Sequence, residues 1–211
     1  MMDSHLFITF LIAITLLTLT PGVDTMVTIR NSARGGWKDG FATSTGICCG
    51  LFLHATVSAL GISVILLQSA NAFHFLKLIG AGYLIWLGLS SLWSIVKGGS
   101  IFRLPDSGER AFRIERSLRE GFLSNALNPK TALFYMAFLP QFIDPQGSAL
   151  TQSLWLAAIH FIIAMLWQCT LALAVNGARN WLQSKAVSVG FNGVSGLVLI
   201  YLGARLALTE D

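Results

Sequence analysis

The chain has 211 residues, 54% of them hydrophobic and only 11% charged, with a mean hydropathy of +0.67. A soluble domain carries about 25% charged residues, so this composition excludes an ordinary soluble globule and indicates one integral membrane bundle. The formal net charge of +4 does not mark a nucleic-acid partner, because the bases lie in links between apolar runs and not on one face.

Six apolar runs cover roughly 5–29, 40–67, 71–96, 119–142, 150–177 and 187–208. Each is near or above the roughly 20 residues that a helix needs to cross a bilayer. The expected fold is therefore all-α, a polytopic membrane protein with six transmembrane helices. The lead-in "MMDSH" has no Lys or Arg, and no small-residue cleavage site precedes the next polar segment. The first run is thus expected to stay in the mature protein and not to be removed as a signal peptide.

Run 1 is interrupted by Thr20-Pro21-Gly22, with Asp24 one turn further on. Proline is favoured at the first position of a helix, directly after a Thr or Asn cap, so the helix is expected to restart at Thr20-Pro21. A restarted helix presents free N–H groups and the positive end of its dipole, an anion site suited to a carboxylate. An isolated proline in a membrane helix is more simply an ordinary kink.

The next link carries Arg30, Arg34 and Lys38. Run 2 places Ala42, Gly46, Gly50, His54 and Ser58 at four-residue spacing, and its G-x-x-x-G step allows close helix approach. Packing within the molecule is the simplest reading. His54 is a candidate proton relay or, more plainly, a packed histidine. The link "SANAF" is uncharged, and run 3 contains "GAGYLIWLG" from Gly80 to Gly88.

The long link at 97–118 mixes Pro, Gly and Ser with Lys97, Arg103, Arg110, Arg113 and Arg116, and Arg119 follows. Acids interleave with these bases, so it reads as a connector ending in a charged helical lead. Run 4 is broken at Asn128-Pro129-Lys130. Run 5 follows the uncharged "DPQGSALTQ" and spaces His160, Gln168 and Asn176 eight apart. These three could line a polar path; bonding to neighbouring helices explains them equally. Arg179 and Lys185 precede run 6, which contains "GLVLIYLGARL". Lys77 and Arg205, toward the outer ends of runs 3 and 6, read as side chains that snorkel to the interface.

Short basic loops stay in the cytoplasm. All three odd-numbered links are basic and both even-numbered links are not, which predicts six spans with both termini periplasmic. Leu84-Ile85-Trp86-Leu87-Gly88 in run 3 matches Leu199-Ile200-Tyr201-Leu202-Gly203 in run 6, and runs 1 and 4 are both broken at proline. Residues 1–96 and 119–211 thus read as two three-helix repeats, with 97–118 as a cytoplasmic connector. Three is odd, so the repeats are inverted, the layout of many secondary transporters whose paired broken helices mark the binding site.

Cys48, Cys49 and Cys169 form no C-x-x-C, and the four histidines form no metal-ligand spacing. There is no nucleophile elbow or phosphate loop. No enzyme activity, cofactor or metal is expected. Lys130 beside one restart and Asp24 beside the other instead suit a zwitterion, most simply an α-amino acid. A structural ion pair between them is the plainer alternative.

Thr20-Pro21-Gly22-Val23-Asp24, Arg30, the Gly35-Gly36 link and "GFLSNALNPKTALFYMAFLPQFIDP" from Gly121 to Pro145 resemble the LysE/RhtB family of bacterial amino-acid exporters. The resemblance runs over nearly the whole chain. The family's T-P-G-P has Val23 here at its second proline. The resemblance implies an inner-membrane exporter driven by the proton gradient, with two pseudo-repeats, and leaves room for a homodimer. The substrate-binding candidates are Thr20, Pro21, Gly22, Asp24, Asn125, Asn128, Pro129 and Lys130. A proton or polar path would use Asp24, His54 and Gln168. The expected partners are a small-molecule amino acid and membrane lipid, with no nucleic acid. The competing readings are an ion carrier or channel and a transporter of another small metabolite.

Overall fold

A computed structural model describes residues 4–68, 70–96, 112–177 and 184–208. The described residues are helical, with no strand. In chain order the elements are α1 (Ser4–Leu19), α2 (Val23–Gln68), α3 (Ala70–Val96), α4 (Ile114–Ala126), α5 (Pro129–Ala137), a 3-10 turn (Leu139–Phe142), α6 (Ala149–Gly177) and α7 (Lys185–Leu208). Most of the basic connector, 97–111, and Arg179 lie outside the described residues, as do the side chains of Lys77 and Asn176.

Both proline breaks are present, but the first differs from expectation. Thr20 does not cap the restarted helix. Its hydroxyl donates back to the Leu16 carbonyl at 2.7 Å, which closes the outgoing end of α1. The chain re-enters helix at Val23, where the Gly22 carbonyl accepts the Met26 N–H at 3.1 Å. Val23 is thus the first helical residue, a position where proline's missing N–H costs nothing. Either residue starts this helix, so Val23 preserves the geometry of the break. The second break follows expectation: Pro129 opens α5, and the Asn128 side chain accepts the Lys130 N–H at 3.0 Å.

The basic link at 30–38 is not a loop. α2 runs through it and bends at Gly35 (φ −130°, ψ 19°) and Gly36 (φ 74°, ψ −169°). The Gly36 conformation is essentially closed to residues with a Cβ, and a Cβ on Gly35 would strike the Asp39 side chain, which is why a glycine pair stands there. Helix α4 starts at Ile114, inside the expected connector, so the charged lead is already part of the second half's first helix.

The arm of α2 after the bend packs against α4 and α6, and α3 packs against α7. The stripe on run 2 faces inward. A Cβ on Gly46 would strike the Leu118 carbonyl, Gly50 lies against the Asn125 side chain, and Ser58 donates to the Tyr135 carbonyl. Gly88 of α3 faces the Gly196 carbonyl of α7, and Gly203 of α7 faces the Ala81 carbonyl of α3. That reversal makes the pair antiparallel. The matched pentapeptides sit alike: Leu84 and Leu199 are buried, and Trp86 and Tyr201 are exposed.

Val23–Gly61 and Ala149–Val175 are each long and apolar enough to cross a membrane. The remaining expected spans are shorter, broken or only partly described. The surface decides what such helices face. The most apolar window of Ala149–Val175 has a mean hydropathy of 2.0, yet only 33% of that window is buried. Ile12, Leu60, Trp86, Trp93, Trp155, Leu166 and Leu197 all point outward, while Thr28, Asn31, Asp39, Asn125 and Gln168 are buried. An apolar outer face over an interior that holds polar side chains among its apolar ones is what lipid selects. In lipid, helices associate through close packing and interhelical hydrogen bonds and not through expulsion of water.

Candidate functional site

The two breaks meet. Asp24, in the first turn of α2, accepts three hydrogen bonds from the end of α4 and the turn after it. Ser124 Oγ donates to Oδ1 at 2.7 Å; Asn125 Nδ2 and Asn128 Nδ2 donate to Oδ2 at 2.8 and 2.9 Å. Lys130, in the first turn of α5, sends its ammonium the other way, to the carbonyls of Leu17 at 3.0 Å and Thr20 at 2.7 Å. These carbonyls belong to the last turn of α1 and the break after it, where acceptors lack intrahelical partners and a cation is favoured. No direct ion pair joins Asp24 to Lys130 among the described residues. Each charge is held instead by neutral groups of the opposite break.

Beside this junction lies a cavity of about 30 Å³. Its polar lining includes Thr18, Asp24, Thr25, Asn125, Lys130, Thr131, His160 and Gln168; its apolar lining is Leu17, Ile47, Leu51 and Ala164, with Gly22 at the edge. A water needs roughly 10–15 Å³ of such space, so one or two waters fit and a larger solute requires opening.

Of the expected binding residues, Gly22, Asp24, Asn125 and Lys130 line this cavity. Thr20, Pro21, Asn128 and Pro129 lie behind it: Thr20 supplies a carbonyl to Lys130, Asn128 bridges Asp24 and the Lys130 N–H, and the prolines set the two breaks. Gln168 and His160 also line it. His54 stands one layer back, with Nε2 2.9 Å from the Asn125 carbonyl and its ring beside Tyr135. Both nitrogens of His160 are engaged, Nε2 with Thr18 Oγ at 3.1 Å and Nδ1 with the Tyr135 hydroxyl at 3.0 Å.

Ser124, Thr18 and Tyr135 were not legible as site residues. Ser124 directly precedes Asn125, but serine in a helix usually bonds to its own backbone. Nor did loop charge reveal the network at the glycine bend. Asp39 is fully buried and takes both Arg34 Nε and a second guanidinium nitrogen at 2.9 Å, while Ser117 donates to it as well. Arg34, Arg30 and Arg116 converge on Glu120.

Three comparisons bear on this geometry. The family described as LysE type translocator matches residues 15–210. An uncharacterized membrane protein, YrhP, of Bacillus subtilis (strain 168) is 31% identical over 97% of this chain and 100% of its own length. A homoserine/homoserine lactone efflux protein of Salmonella typhi is 29% identical over 94% of each chain. A leucine efflux protein of Enterobacter sp. (strain 638) is 27% identical over 95% of this chain and 94% of its own. No solved structure matches the chain.

Proposed function

The chain belongs to the LysE type translocator family, and from that premise we propose that it exports amino acids or close derivatives across the bacterial inner membrane, by proton antiport. A translocator moves its substrate without converting it, so the chain is a transporter and not an enzyme. Relatives named for homoserine and leucine efflux support an amino acid as cargo. The observation that carries the reading is the junction of the two breaks. A half-buried carboxylate and a half-buried ammonium line one small cavity, inside a bundle whose outer surface is apolar. Charged groups at membrane depth are costly and mark substrate or ion paths.

The proposed architecture is six spans in two inverted repeats, with both termini periplasmic and 97–118 as the cytoplasmic connector. Three relationships support it. The later arm of α2 runs parallel to α4, since Gly46 meets Leu118 and Gly50 meets Asn125. It runs antiparallel to α6, since Gly40 meets Ala172 and Phe52 meets Phe161. α3 and α7 are antiparallel. These are the directions that alternating spans require. Rocking of one repeat against the other would open the site to each face in turn, with the present cavity as its closed form. The substrate carboxylate would take Lys130, and its ammonium Asp24.

Counterflow in proteoliposomes tests the reading. Vesicles holding purified protein are loaded with unlabelled amino acids, and uptake of labelled ones is followed. Selective, saturable exchange is expected. Folded protein that exchanges none of them overturns the reading and favours an ion carrier.

A further inference from the structure

Gln168 is 4% exposed, lines the cavity, and has no hydrogen-bond partner for its Oε1. An unpaired buried acceptor is costly, and one at a transport cavity is explained if a cargo donor completes it. The other lining groups show which donor that is. A carboxylate offers about four acceptor sites. Asp24 has three filled, two on Oδ2 and one on Oδ1, which leaves one. Lys130 has three N–H donors and spends two on the Leu17 and Thr20 carbonyls. The His160 nitrogens are both taken. The second unpaired lining oxygen, Asn125 Oδ1, is turned against Gly50, where an added Cβ would lie 2.6 Å from it.

Among its charged and amide groups the cavity therefore offers one cationic donor and two acceptors, Asp24 Oδ1 and Gln168 Oε1, beside the hydroxyls of Thr18, Thr25 and Thr131. We infer that Gln168 is the second ligand of the cargo's ammonium group, sharing it with Asp24 while Lys130 takes the carboxylate. This rests on the amino-acid reading above and deepens it: the cargo's ammonium has at least two N–H donors to give. Asp24 alone cannot satisfy such a group once its own neutral partners are in place.

The test is counterflow with one exchanged amino acid and its N,N-dimethyl analogue, which keeps the positive charge but a single N–H. Wild type, Gln168→Met and Gln168→Glu are compared. Gln168→Met is expected to raise the half-saturating concentration of the parent amino acid about tenfold or more. It should leave that of the dimethyl analogue nearly unchanged, so the preference for the parent collapses. Gln168→Glu keeps an acceptor oxygen but adds a charge beside Asp24, so whatever its half-saturating concentration it should keep the preference for the parent over the analogue. Equal shifts for parent and analogue, or none, overturn the inference while leaving amino-acid export standing. So does a preference for the parent that collapses in Gln168→Glu as it does in Gln168→Met. Folded wild-type protein that exchanges no amino acid overturns the export reading and this inference with it.

Discussion

Lys130, at the second helix break, holds its ammonium 2.7 Å from the carbonyl oxygen of Thr20 at the first. With the parallel bond to Leu17, one side chain supplies the donors that the end of α1 lacks. Asp24 does the converse, gathering the hydroxyl and amide donors of Ser124, Asn125 and Asn128. The two breaks are one interlocked unit, each holding the charged side chain of the other.

Lys130→Met follows from this directly. It removes two charge-assisted bonds and leaves two carbonyls without donors. The expected loss of stability is roughly 2–4 kcal/mol, read as a fall of several degrees in the melting temperature of the detergent-solubilised protein. Exchange of amino acids should also be lost. A variant as stable as wild type would show that Lys130 does not hold the breaks together.

Asp24→Asn separates charge from hydrogen bonding. The new carbonyl oxygen can take the Oδ2 position and accept from Asn125 and Asn128. The new NH₂ then faces Ser124, whose hydroxyl can turn to accept. The variant should melt within a degree or two of wild type, yet lose exchange and its dependence on a proton gradient. Asp24→Ala leaves three donors without an acceptor and should be destabilised as well. If Asp24→Asn exports with unchanged pH dependence, Asp24 carries neither the ammonium nor a proton.

Two substitutions probe the bend of α2. Gly36 has open space around it and φ of 74°, so Gly36→Ala costs through the backbone alone, about 1–3 kcal/mol. Asp39→Asn removes the charge of the fully buried one of Arg34's two carboxylate partners and leaves it Glu120 at 3.1 Å. Losing a bidentate charge-assisted pair and disturbing the Ser117 bond to the same buried side chain costs up to about 3 kcal/mol, so the second variant should melt at or below the first. The reverse order would place the constraint in the backbone and not in the ion network.

Much of this was legible in the sequence, and the misses have common causes. Pro129 after Asn128 gave a helix start because proline and an amide cap act within three residues. Thr20-Pro21 looked equivalent, yet the threonine hydroxyl turned back to Leu16, a choice that spacing does not encode. The Gly46 and Gly50 stripe gave a packing face because helical periodicity is local. The partners of Asp24 lie 100 to 104 residues away, and such pairings depend on how the halves dock. The ion pairs of Arg30 and Arg34 with Glu120 are hidden in the same way, 90 and 86 residues away along the chain.

Asp24 and Lys130 are the charged residues that line the cavity, and a zwitterion's own ammonium and carboxylate use both. A third charge on the cargo side chain would be buried without a partner, beside Leu17, Ile47, Leu51 and Ala164, at a cost of several kcal/mol. Lysine and glutamate should therefore compete with a neutral labelled amino acid about a hundredfold less well than an uncharged one. Equal competition by lysine would mean that the side chain lies outside this cavity.

The contact between α2 and α4 gives the last expectation. A Cβ on Gly46 would run into the Leu118 carbonyl, and one on Gly121 into the Thr43 carbonyl. Both obstacles are backbone, so no rotamer change relieves them and the helices themselves must part. Asn125 sits a turn further along the same contact, between Gly50 and Asp24. Gly46→Ala should thus act at a distance, lowering the melting temperature and weakening exchange, although Gly46 touches no cargo. Gly61→Ala is the control: a Cβ there meets nothing within 4 Å, and helix propensity favours alanine by about 1 kcal/mol. Loss of exchange in Gly46→Ala with Gly61→Ala at wild-type level is the expected pattern, measured by counterflow. Equal activity in both would mean that the close approach of α2 and α4 does not set the geometry of the site.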